Sequence, residues 1–140
     1  MVAAPLRSTL LVVLIAGAGL AAARRGLLVV RVVGDSMAPA LPAGGRVLVR
    51  RGSWGVRRGS VVVGRPPRLP GAIFVKRVTA VGGQRVAGLP GVVPRGHCWV
   101  QGDGAVSGDS RVWGPVRVGD LLGVMVARLP SARAQPSTPA

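Results

Sequence analysis

A chain of 140 residues has room for one small domain. Four aspartates and no glutamate make two-carboxylate glycosidase chemistry or an HExxH zinc site a poor fit. A single histidine and a single cysteine, His97 and Cys98, can close neither a structural zinc site nor an intrachain disulfide.

The net charge of +15 invites a nucleic-acid reading. The arginines are scattered, however, and one phenylalanine with no tyrosine offers few platforms for base stacking. No nucleic-acid partner is expected; proximity to anionic membrane lipid, or a plain compositional bias toward arginine, is preferred to it.

In chain order, residues 8–23 come first, an uncharged run bounded by Arg7 and by Arg24-Arg25. A bilayer span needs about 20 apolar residues, with a range that starts near 17. Leu6 and snorkelling arginines bring this run to the edge of that range. Residues 1–26 are therefore expected to form one N-terminal hydrophobic helix, an uncleaved single-pass membrane anchor. The small residues Ala21-Ala22-Ala23 keep a cleavable signal peptide as the alternative. Arg7 and the amino terminus stand against Arg24-Arg25, so the positive-inside rule leaves orientation open.

Residues 27–129 are short valine-rich runs broken by glycine and proline. This pattern predicts strands over 27–33, 46–50, 60–63, 73–81, 92–93, 99–101 and 121–127, with a connecting loop over 64–71. No long helical period intervenes, so the expected domain is mostly β, compact and barrel-like. His97 and Cys98 read as part of a strand. The Ser/Pro/Ala-rich residues 130–140 are expected to be a disordered tail.

Among nineteen basic residues, eighteen are arginines and one is Lys76. Arginine effectively never gives up its proton, whereas a lysine buried among apolar groups can, and can then act as a base. Lys76 lies in the apolar run Ala72-Ile73-Phe74-Val75-Lys76-Arg77-Val78. Upstream, Gly34-Asp35-Ser36-Met37-Ala38-Pro39 places a serine on a turn after an apolar strand. A hydroxyl is a weak nucleophile until a base takes its proton, so Ser36 and Lys76 form a candidate nucleophile–base pair.

Four segments resemble, in order, the boxes of the type I signal peptidase family. Residues 34–41, GDSMAPAL, are similar to its G-D-S-M-x-P-T-L box, and residues 44–49, GGRVLV, to the following G-D-x-V-L-V segment. Residues 74–78, FVKRV, are similar to the box that holds the general base. Residues 102–116 are similar to G-D-N…S-x-D-S-R-x-W-G-P-V. The chain departs from these boxes at Ala40, Gly45, Gln84 and Gly104, and the loop before Ser107 is one residue short.

The resemblance implies a membrane-anchored serine endopeptidase that removes signal peptides from exported precursors after small-x-small motifs. Ser36 would be the nucleophile and its backbone N–H the oxyanion donor, Lys76 the base, and Ser107 the residue that orients the lysine. Asp109, Arg111 and Arg77 would support the site, and Met37, Phe74 and Val75 would line the substrate pocket. Gly34 stands where some relatives carry a second oxyanion donor. Neither metal nor other cofactor is implied. The expected partners are secreted precursors and membrane lipid, with the catalytic domain on the extracytoplasmic side of the cell membrane.

Other readings remain open at this point. A dedicated maturation peptidase, of the kind that processes nickel superoxide dismutase, shares these boxes. The self-cleaving repressors also use a serine–lysine pair, but they carry a DNA-binding segment where this chain has a hydrophobic one. A triad of Ser36, His97 and Asp103 or Asp109 leaves the single lysine unexplained. A non-catalytic basic, membrane-tethered binding module is the reading outside enzymology.

Overall fold

The computed structural model describes residues 25–104 and 108–130. The expected anchor, apart from residues 25 and 26, the tail beyond Pro130, and Ser107 lie outside the described residues. Among the described residues, no helix is long and apolar enough to cross a membrane.

The protein is mostly β. Among the described residues, seven strands form one antiparallel sheet: β1 (Leu27–Arg31), β2 (Arg46–Arg51), β3 (Val61–Gly64), β4 (Phe74–Val81), β5 (His97–Gln101), β6 (Val116–Arg117) and β7 (Leu121–Leu129). Their spatial order is β1-β2-β7-β3-β4-β5-β6. One short helix, α1 (Ser110–Trp113), and a 3-10 turn over Val118–Asp120 separate the last strands.

Apolar alternation explains how the sheet buries itself. In β3 all four residues are buried, with Val62 in one cluster beside Phe74, Val78 and Val124. Its neighbours Val61 and Val63 point the other way, into a cluster with Val47, Val49, Val32 and Met37. A strand covered on both faces reads as a continuous apolar run, which is how Val61-Val62-Val63 appears in the sequence. Gly64 ends it because a Cβ there would lie 2.7 Å from the Phe74 ring, so the glycine lets that ring rest on the strand.

The sheet curls into a half-barrel. Strands β1 and β4 are separated by three others in the hydrogen-bonding order, yet residues of both line one cleft. Only a curled sheet brings an edge strand over to a central one.

Two sequence expectations need correction. The expected strand over 92–93 is reduced to an isolated bridge between Arg85 and Val92. Pro90-Gly91 before it and Pro94 after it leave no room for a ladder, although Val93 is fully buried and donates to the Gln84 carbonyl at 2.8 Å. Helix α1 was not anticipated, since four residues carry no readable period. Its fold is local: Asp109 caps it by accepting the Arg111 backbone N–H at 3.1 Å.

Candidate active site

Strand β4 sets the environment of Lys76. Its side chains alternate, with Phe74, Lys76, Val78 and Ala80 buried and the residues between them half-buried. Lys76 thus shares a face with Phe74 and Val78 and is only 5% exposed. Burial among apolar groups penalises the ammonium and lowers the lysine pKa from its ordinary value. The Asp109 carboxylate opposes this shift, and the Arg111 guanidinium adds to it.

Ser36 sits on the turn that follows the edge strand β1. Gly34 supplies the left-handed backbone (φ 79°) with which the chain leaves that strand. The Ala38 N–H donates to the Asp35 carbonyl at 3.0 Å and closes the turn. Met37, next to the serine, is 1% exposed and packs into the cluster with Val32 and Leu41, which anchors the turn to the core.

Ser36 and Lys76 line the same cleft, of about 410 Å³. Met37, Phe74 and Val75 line it too, together with residues 30–33 of the β1 end, Pro66, Ile73, Gly108 and Trp113. The Trp113 ring lies 5.5 Å from that of Phe74 and carries the apolar wall onward into α1. Val33, at 87% exposed, and Ile73, at 60%, leave apolar side chains at the rim. The Trp113 wall went unnoticed in the sequence, although its signal lay in the S-R-V-W-G-P stretch of the last box.

Asp109 is fully buried. Its Oδ1 accepts from Arg111 Nε at 2.9 Å, and its Oδ2 from Arg111 Nη2 at 2.7 Å. Its Oδ2 also accepts the Gly102 backbone N–H at 3.0 Å. One carboxylate therefore caps α1, pairs with Arg111 and ties down the start of the loop that leads to Ser107. Ser110, beside it, accepts the Val100 N–H at 2.9 Å and fixes the helix to β5.

Arg77 points away from Lys76. It grips Asp103 with Nε at 3.0 Å from Oδ1 and Nη2 at 2.8 Å from Oδ2, a two-pronged pairing that holds geometry better than a single contact. Its Nη1 donates to the Gly59 carbonyl at 3.1 Å. The next residue in the loop, Gly104, donates its N–H to the Ser36 carbonyl at 2.7 Å.

His97 and Cys98 open β5 as expected. The imidazole Nδ1 lies 2.9 Å from the Arg95 carbonyl, and His97 is not among the cleft-lining residues. Asp103 is engaged by Arg77 and Asp109 by Arg111, so the residues of a Ser-His-Asp triad are not assembled. Burial pushes the Cys98 thiol up to about 11, which keeps it protonated at neutral pH and unsuited to nucleophilic attack.

Comparison with known proteins gives the family. The family model described as signal peptidase, peptidase S26, matches residues 6–89. The mitochondrial ATP-independent inner membrane protease subunit 1a of Arabidopsis thaliana is 35% identical over 113 residues, covering 69% of this chain and 66% of that protein. The mitochondrial inner membrane protease subunit 2 of Mus musculus is 39% identical over 107 residues, covering 66% and 61%. The Homo sapiens subunit 1 is 31% identical over 107 residues, covering 68% and 64%. The matched stretch thus spans about two thirds of the length of these curated relatives or slightly less. With the family match running through both the Ser36 turn and the Lys76 strand, the chain belongs to the signal peptidase family, peptidase S26.

Proposed function

We propose that this protein is a serine endopeptidase in which Ser36 attacks the scissile carbonyl and Lys76 takes the serine proton. The observation that carries the reading is the cleft itself: a half-buried serine and the only lysine of the chain, buried and with lowered pKa, line one groove. Neutral Lys76 accepts the hydroxyl proton as the tetrahedral intermediate forms and then protonates the departing amine. The Ser36 backbone N–H stabilises the oxyanion. Water hydrolyses the acyl-enzyme with Lys76 again as base. Asp109 and Arg111 act as a fixed pair beneath the site, and Ser107 orients the lysine.

The substrates are the N-terminal presequences of exported precursors, cut after small-x-small motifs. An extended peptide fits between the free edge of β1 and β4 by adding its backbone to a strand edge, with alternate side chains in shallow pockets. The apolar rim at Val33 and Ile73, the basic surface and the uncharged run at residues 8–23 together favour work at a membrane. Several relatives are inner membrane proteases, which favours the same setting.

The test is cleavage of an Ala-x-Ala precursor peptide in detergent by the wild-type chain, Ser36→Ala and Lys76→Ala, with product masses recorded. A cut after the second small residue, lost in both variants, is the expected result. Full activity in Lys76→Ala would overturn the assigned base. A panel of such precursors separates a broad enzyme from one dedicated to a single maturation substrate, which would ignore most of the panel.

A further inference from the structure

Residues 102–104 join three parts of the site. The Gly102 N–H is held by buried Asp109, the Asp103 carboxylate by Arg77 next to Lys76, and the Gly104 N–H donates to the Ser36 carbonyl. With three consecutive residues tied to different partners, the segment has no slack in which to withdraw from the serine turn.

Gly104 is also pressed against the nucleophile's backbone. A Cβ built there would lie 2.5 Å from the Asp35 carbonyl oxygen and 3.2 Å from both the Ser36 carbonyl carbon and its oxygen. These are backbone atoms, which cannot swing aside as a side-chain tip can. The Asp35 carbonyl belongs to the same planar peptide as the Ser36 N–H. Pushing on the oxygen therefore tilts the N–H, and that N–H is the oxyanion donor of the proposed mechanism. The left-handed conformation that commonly selects glycine is not the reason here, since Gly104 is absent from the positive-φ glycines. Close approach is.

We infer that Gly104 is a positioning residue for catalysis: its bare Cα and its N–H set the orientation of the Asp35–Ser36 peptide, and any side chain at 104 misaligns the oxyanion donor. This rests on the peptidase reading above. It predicts that Gly104→Asn, which restores the residue of the related box, damages the enzyme rather than improving it.

The experiment compares the wild-type chain, Gly104→Ala, Gly104→Asn and Gly119→Ala on one Ala-x-Ala precursor peptide. A Cβ at Gly119, outside the cleft, meets nothing within 4 Å, so this control is expected to match wild type. Rates are expressed per site titrated with a serine-reactive phosphonate, which removes any misfolded fraction. Losing one oxyanion donor lowers kcat by about 100-fold. That loss is expected in both Gly104 variants, with KM within about threefold and an unchanged pH midpoint, because Lys76 is untouched. Wild-type kcat per titrated site in Gly104→Ala overturns the role while leaving the peptidase reading intact. Collapse of both Gly104 variants with Gly119→Ala folded overturns it as well, since the glycine then serves folding alone. Failure of the wild-type chain to cleave overturns the peptidase reading and this role with it.

Discussion

The two sides of the cleft are built in opposite ways. Lys76 is the third residue of β4, paired with Val62 of β3, and its side chain shares the buried face of the strand with Phe74 and Val78. Ser36 stands on a turn beyond the edge strand β1 and is held by a few loop contacts, the Gly104 N–H among them. The difference matches their proposed tasks. A base needs a stable, dry setting to keep its pKa low, and a sheet interior supplies that. A nucleophile must meet a bound peptide, so it is carried on an exposed loop placed by a rigid scaffold. The cost is that the serine side depends on local contacts, while the lysine side depends on the whole fold.

This contrast can be broken most strongly at its two ends. Ser36→Ala and Lys76→Met are each expected to lower kcat by about four orders of magnitude, read from single-turnover cleavage. The two should part company in stability. The folded-state pKa of Lys76 is lowered, so the unfolded chain binds more protons and stability rises with pH between the folded and unfolded values. Below that window the full cost of burying the ammonium is present. Lys76→Met removes it and should raise unfolding stability near neutral pH by about 1 kcal/mol in urea titrations, whereas Ser36→Ala should leave it nearly unchanged.

Arg111 tests the support beneath the lysine. Arg111→Gln takes the guanidinium away from the buried Asp109 carboxylate, which should lower stability in denaturant unfolding. The same change removes a positive charge that lowers the Lys76 pKa and frees a negative one that raises it. Both act in one direction. Because the neutral lysine is the active form, the rate falls as pH drops through this pKa, and the midpoint should move to higher pH in the variant. An unmoved midpoint would separate Arg111 from the base.

The smallest expected effect sharpens the comparison from outside. His97→Ala loses one contact to the Arg95 carbonyl at the sheet margin, so stability should change by about 1 kcal/mol or less and kcat not at all. A large loss of kcat would bring the triad reading back.

Much of this architecture was legible in the sequence, and the exceptions share a cause. Six of the seven strands coincide with valine-rich runs, because apolar runs between turn residues leave an antiparallel sheet as the economical way to bury them. The two-residue β6 and the four-residue α1 are too short to carry a period, and they exist through the Asp109 cap and the pairing of β6 with β5. At the site, the lone Lys76 and the turn at Ser36 were readable as chemistry. Their shared cleft was not, since they lie 40 positions apart and meet only through the curl of the sheet. In the sequence, Gly104 is only a departure from the related box. Only the tertiary structure presents it as a contact, because the space available to a Cβ is set by the backbone opposite it, Asp35 and Ser36, and not by its own neighbours in the chain.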